Sequence, residues 1–250
     1  MGDERSVSGS GSGSNCETLD AVTRQEEDEE QQQQQQQQHQ KEQQQLSIIC
    51  GYSQHMQPLA ADGGAGGAAK SSQLLSRADW GARMPKEVNY FDGPAPYVII
   101  HHSYIPAACS TTPDCMLSMR QMQDFHQVDR GWNDIGYSFG IGGDGLIYTG
   151  RGFNVVGAHA PKYNDKSVGI VLIGDWRTEL PPTIMLRAAQ DLIAFGVAQG
   201  YIDPSYKLLG HRQVRDTECP GGRLYQEIST WPHFTQLNKT VEVQPVANKV

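Results

Sequence analysis

No stretch of this 250-residue chain approaches the roughly 20 consecutive apolar residues that a membrane-spanning helix requires. Its first 30 residues also lack the basic start and apolar core of a cleavable signal peptide. Positive charge is short: 20 Lys and Arg stand against 28 Asp and Glu, a net charge of −8. A basic face for nucleic acid is therefore excluded as an expectation, as is a membrane partner. Cysteine is scarce, with five in the chain, so a disulfide-dense scaffold is excluded as well.

The negative charge is uneven. Residues 1–70 hold eleven acidic and four basic side chains, a balance of −7, and the remaining 180 residues are nearly neutral. The same segment contains "SGSGSGS" (8–14), "EEDEE" (26–30), eight consecutive glutamines (31–38) and "GGAGGAA" (63–69). Such composition buries too little apolar surface to offset the entropy of ordering a chain. The expected organisation is a disordered acidic, Gln- and Gly-rich tail over 1–70, one domain over 71–238, and a short C-terminal tail over 239–250.

Within the domain, apolar and turn patterns alternate. "YVIIHHSY" (97–104) is a β-branched run that ends in two histidines and reads as a strand. In "TPDCMLSMRQMQDFHQVDRGW" (112–132), Met116, Met119, Met122 and Phe125 fall at helical spacing, an apolar stripe that reads as a core face, with Pro113 in the first turn and Gly131 as the stop. Gly140, Gly142 and Gly145 match the spacing of a dinucleotide loop, but "LIYTG" follows Asp144-Gly145 where that chemistry needs a helix. A hairpin is the better reading. "SVGIVLIGDW" (167–176) predicts a central strand buried on both faces, 181–202 a long amphipathic helix, 206–210 a last short strand and 222–231 a final helix. The expected fold is α/β: a central mixed sheet flanked by helices.

Two of the strands end in histidine. His101 and His102 follow one apolar run, and His211 follows another. If those strands are neighbours, imidazoles from both meet at one edge of the sheet. Cys219 lies eight residues beyond His211, in a polar loop. Two imidazoles and a thiolate suit zinc with a fourth position open to water. Spacing alone leaves Cys219 open to three readings: a metal ligand, an inert thiol, or a disulfide partner of Cys16 or Cys50.

Five segments taken together narrow the choice: "LLSRADWGAR" (74–83), "VIIHHSY" (98–104), "NDIGYSFGIGGDGLIYTGRG" (133–152), "GAHAPKYNDKSVGIVLIGD" (157–175) and "LLGHRQVRDTECPG" (208–221). In this order the chain, from about residue 74 to about 237, resembles the peptidoglycan recognition proteins, and among them the enzymatic members, which are amidases of the amidase-2 type. The resemblance implies that His101, His211 and Cys219 hold Zn2+, and that Tyr137 and Thr217 assist catalysis, with the general acid left open. It implies a zinc-dependent N-acetylmuramoyl-L-alanine amidase that cleaves the lactyl-amide bond in muropeptides and so dampens innate immune signalling. The alternative within the family is a non-catalytic sensor of the same fragments, from which the Cys219 position separates an enzyme.

By the same resemblance, a substrate groove is lined by His126, Arg130, Gly131, Trp132, Arg151, His159 and Asn164. Gly-Trp together with the arginine implies meso-diaminopimelate in the stem peptide, since a guanidinium grips the extra carboxylate with two hydrogen bonds. The matching cysteines, Cys109 and Cys115, imply a disulfide. The expected state is a monomer. The expected compartment of this chain is cytoplasmic, with an extracellular site, as for other family members, as the alternative.

Overall fold

The computed structural model describes residues 73–237. The expected tails over 1–70 and 239–250, with Cys16 and Cys50, lie outside the described residues.

Six strands form one mixed sheet: β1 (Leu74–Leu75), β2 (Ala95–His102), β3 (Phe139–Ile141), β4 (Ile147–Thr149), β5 (Ser167–Leu172) and β6 (Ile202–Gly210), in the order β1-β4-β3-β5-β2-β6. β3 and β4 pair antiparallel, and all other neighbours are parallel. The glycine-rich segment is thus the expected hairpin, with Gly145 at φ +78° in its turn. β5 is buried along its whole length between β3 and β2, as its continuous apolar run predicts. The last strand begins at Ile202 rather than 206, because Asp203 to Ser205 extend it at the sheet edge, where Pro204 is tolerated.

Helices cover both faces. Helix α1 (Thr112–Asp124) starts where the Thr111 hydroxyl caps the Asp114 N–H, with Pro113 in the first turn. Its Met119 and Met122 pack with Trp80, Ile135, Tyr148 and Val171. A Cβ on Gly140 would lie 2.4 Å from the Met119 sulfur, so that glycine is what lets α1 approach β3 so closely. The next strand position, Phe139, points to the other face and meets Phe153, which in turn faces Phe195 of helix α2 (Thr183–Ala198). A short helix α3 (Gly222–Ile228) closes the chain of elements. Among the described residues, no helix is long and apolar enough to cross a membrane.

One expected feature of α1 is overturned. Phe125, assigned to the core stripe by its spacing, is 45 % exposed. A single π turn, Phe125–Asp129, follows α1, with the Arg130 N–H bonded to the Phe125 carbonyl. The wider turn carries His126 and Gln127 inward in its place. The chain then leaves the helix through Gly131 at φ +71°, a backbone state that favours glycine.

Candidate metal centre

β2 and β6 are parallel neighbours, with Ile100 opposite Gly210. One residue beyond that pair in each strand stand His101 and His211, so both imidazoles emerge at the same sheet edge. Their ring centroids are 4.4 Å apart. The loop after β6 folds back on itself. The Arg212 N–H donates to the Cys219 carbonyl at 2.8 Å, and the Gly221 N–H to the Glu218 carbonyl at 2.8 Å. Gly221, at φ +95°, lies so close to Trp176 that a Cβ would fall 2.3 Å from its carbonyl. This turn delivers Cys219 to the two histidines.

The candidate ligand atoms of His101, His211 and Cys219 all lie within 4.8 Å of one another, and Cys219 Sγ is 3.8 Å from His101 Nδ1. Two ligands on one tetrahedral zinc stand about 3.6 Å apart for ordinary Zn–N and Zn–S bonds. Both ring nitrogens of His211 are buried and have no hydrogen-bond partner among the described residues. An orphaned imidazole facing a thiol and a second imidazole fits a divalent cation, and its protein-only alternative leaves a costly unpaired polar group.

The electrostatics agree. Burial, then the neighbouring His211, holds His101 well below the usual imidazole pKa. Burial also lowers His211 to about 4, so both rings are neutral and have a lone pair to give at neutral pH. Burial pushes the Cys219 thiol up to about 12, against a smaller opposing pull from the His102 N–H, which reaches Sγ at 3.4 Å. A thiolate here needs a compensating positive charge beside it, which a bound dication provides.

The His102 side chain is not part of this cluster; its backbone N–H reaches Cys219 Sγ. Successive strand residues face opposite ways, and its Nδ1 accepts the Trp176 N–H at 3.3 Å, 3.8 Å from the Asp175 carboxylate. Tyr137 does belong beside it: its ring centroid is 5.2 Å from that of His101. Burial and the nearby Cys219 raise its pKa above the ordinary phenol value, so its hydroxyl remains a proton donor. Thr217 Oγ1 accepts the Cys219 N–H at 3.2 Å, which ties it to the ligand loop.

The expected groove residues divide. His126 and Trp132 stack at 4.7 Å with an 11° angle between rings, and Arg130 is exposed over the Phe125 ring. Gly131 is exposed at φ +71°, with nothing near a hypothetical Cβ. Arg151 donates to the carbonyls of Ile135 and Val156, both at 2.7 Å, and of Asp134 at 3.4 Å. Of its five N–H groups, two are then left for a ligand carboxylate.

Asn164 and His159 face inward. Asn164 Oδ1 accepts the N–H groups of His159 and Ala160 at 2.9 and 2.8 Å. His159 is 6 % exposed, and its ring nitrogens point at His101 and Ser167. Ser167 was not singled out from the sequence, where a serine opening an apolar strand gives no signal. Cys109 and Cys115 form the disulfide that the resemblance implied.

The profile of the N-acetylmuramoyl-L-alanine amidase family matches residues 91–222. The chain belongs to this family. Peptidoglycan-recognition protein LB of Drosophila melanogaster is 76 % identical over 190 residues, covering 76 % of this chain and 80 % of that protein. A tyrosine-to-phenylalanine mutant of Drosophila PGRP-LB, solved in complex with tracheal cytotoxin, superposes with a TM-score of 0.65 at 83 % identity, over 65 % of this chain and 96 % of that one. Peptidoglycan recognition protein LE, solved with tracheal cytotoxin described as monomeric diaminopimelic acid-type peptidoglycan, matches with a TM-score of 0.64 at 42 % identity, over 66 % of this chain and 96 % of that one. The family's mixed sheet with flanking helices is the fold described above.

Proposed function

We propose that this chain is a zinc-dependent N-acetylmuramoyl-L-alanine amidase acting on diaminopimelate-type muropeptides. The observation that carries it is the meeting of His101, His211 and Cys219, within 4.8 Å of one another, at the ends of two neighbouring parallel strands. A structural zinc is usually closed by four protein ligands, and among the described residues this cluster supplies three, as catalytic sites do. The complexes of LB and LE with tracheal cytotoxin support the same class of fragment as substrate.

Zinc held by His101, His211 and Cys219 would supply Lewis acidity toward the scissile carbonyl and the attacking water. The chain's own groups do the rest. His101 and His211 would give neutral imidazole lone pairs, and Cys219 a thiolate. Tyr137 stays protonated and donates to the oxygen that gains charge as the lactyl-amide carbonyl is attacked. Thr217, with its oxygen occupied by the Cys219 N–H, retains its own proton to donate toward the reacting atoms. The two remaining N–H groups of Arg151 meet the extra carboxylate of diaminopimelate. Cleavage separates sugar from peptide and so dampens an immune response that reads the intact fragment. The Cys109–Cys115 bond supports the extracellular alternative for its compartment, since such bonds persist where conditions are oxidising.

The test is direct. Full-length protein is incubated with a diaminopimelate-containing muropeptide, with zinc and with a chelator, and free stem peptide is followed by mass spectrometry. Release with zinc, lost with chelator and with Cys219→Ser, is the expected result. Binding of the muropeptide by the native chain without any release points instead to a sensor.

A further inference from the structure

Behind His101 runs a buried polar chain that does not touch the reacting atoms. His101 Nε2 lies 3.0 Å from His159 Nδ1, His159 Nε2 lies 3.4 Å from Ser167 Oγ, and Ser167 Oγ lies 2.6 Å from the Tyr163 carbonyl. His159 and Ser167 are 6 % and 1 % exposed. The slot that holds the His159 ring exists because two side chains are missing. A Cβ on Gly157 would fall 2.5 Å from His159 Cδ2, and one on Gly169 would fall 2.5 Å from Cδ2 and 2.6 Å from Nε2. Neither glycine adopts the left-handed backbone, so each is there for space rather than for conformation. Asn164 Oδ1 fixes the backbone on which the ring hangs.

The protons along this chain can be placed in one consistent order. A carbonyl only accepts, so the single hydroxyl proton of Ser167 goes to Tyr163 O. Ser167 Oγ must then accept from His159, which puts the proton of that ring on Nε2. A neutral imidazole carries one N–H, so His159 Nδ1 accepts, and the proton between the two rings belongs to His101 Nε2. His101 Nδ1 is left as a bare lone pair, and it is the nitrogen that faces Cys219 Sγ. The reverse order would protonate Nδ1 and turn it from a ligand into a donor to sulfur.

We propose that His159 and Ser167 are positioning residues that hold His101 in the Nε2–H tautomer, aiming its Nδ1 lone pair at the metal position. The purpose of this device rests on the metal reading above; the tautomer does not. Second-layer partners of this kind fix ring orientation and raise ligand basicity, and their loss lowers metal affinity by about 10–100-fold.

Two measurements on the full chain test it. In metal-stripped protein, 15N NMR of the imidazoles should show both His101 and His159 protonated at Nε2; a proton on Nδ1 of either ring overturns the proposal. Zinc affinity, measured by chelator competition, should fall by about 10–100-fold in His159→Phe. It should recover most of that loss in His159→Gln, whose amide can accept from His101 and donate to Ser167. The d–d spectrum of the cobalt-substituted protein should shift in His159→Phe. Unchanged affinity and spectrum in that variant sink the idea. Should His159→Phe fail to fold, Ser167→Ala carries the test, with a second His159 tautomer expected in its NMR spectrum and an unchanged spectrum counting against the proposal. A native chain that shows the Nε2–H tautomers yet binds no zinc removes the amidase reading instead.

Discussion

Tyr137 and Arg151 show how differently two side chains at one site are held. Burial keeps the Tyr137 hydroxyl protonated next to His101, so its use lies in the proton it can donate. Replacing it with phenylalanine removes the donor and little volume. Tyr137→Phe should lower kcat by about 10²–10³-fold with KM little changed, as loss of one oxyanion donor does; steady-state kinetics on a purified muropeptide checks this. Arg151 combines an observed structural role with the proposed one toward substrate. Three carbonyls take its inner N–H groups, so Arg151→Val should destabilise the domain by about 1–3 kcal/mol, read by denaturant melts. It should also raise KM more for diaminopimelate than for lysine stem peptides. Equal losses for both substrates would leave Arg151 a structural residue only. Neither burial nor these carbonyl partners could be read from "YTGRG", because they come from residues 134, 135 and 156.

At the scale of the element, the site depends on strand alternation and on where glycine leaves space. The parallel pairing of β2 with β6 brings His101 beside His211, and period-two alternation turns His102 away to Trp176. Gly169 in β5 leaves the hollow that receives the His159 ring. Gly169→Ala should therefore displace that ring, lowering zinc affinity by about tenfold or more while the far-UV circular dichroism stays that of the native fold. The strands other than β1, the hairpin and both long helices were legible because their period and punctuation are local: β-branched runs, Asp-Gly, Pro starts and Gly stops; the two residues of β1 are too few to show a period. The π turn was not. Phe125 and His126 carry no mark of it, and the exchange of which one faces inward was decided by packing at the end of α1.

For the whole molecule, a cation at the junction of β2, β6 and the Cys219 loop would join parts of the chain that are far apart in sequence. Metal that binds only the folded state stabilises it, by about 2.7 kcal/mol when free metal is one hundred times its Kd. For a domain of this size that is about 5–10 °C in Tm. Scanning calorimetry of the zinc-loaded and chelator-treated protein should show that upshift, and Cys219→Ser should abolish it. No difference between the loaded and stripped forms would mean that the three side chains hold no metal.

The sequence by itself determined the residue types and the local elements: which segments are strands, where helices begin and stop, and that histidines stand at strand ends. It also carried the family likeness, since five motifs in order survive without knowledge of their contacts. The likeness named His101 rather than His102; only the tertiary structure decided that Arg151 and Asn164 are engaged by backbone groups, and that His159 lies behind His101 against Ser167. The reason is physical. Secondary structure follows from interactions among near neighbours in the chain. A ligand set, a tautomer and a buried partner follow from contacts between residues 58 and 118 positions apart, which no local pattern encodes.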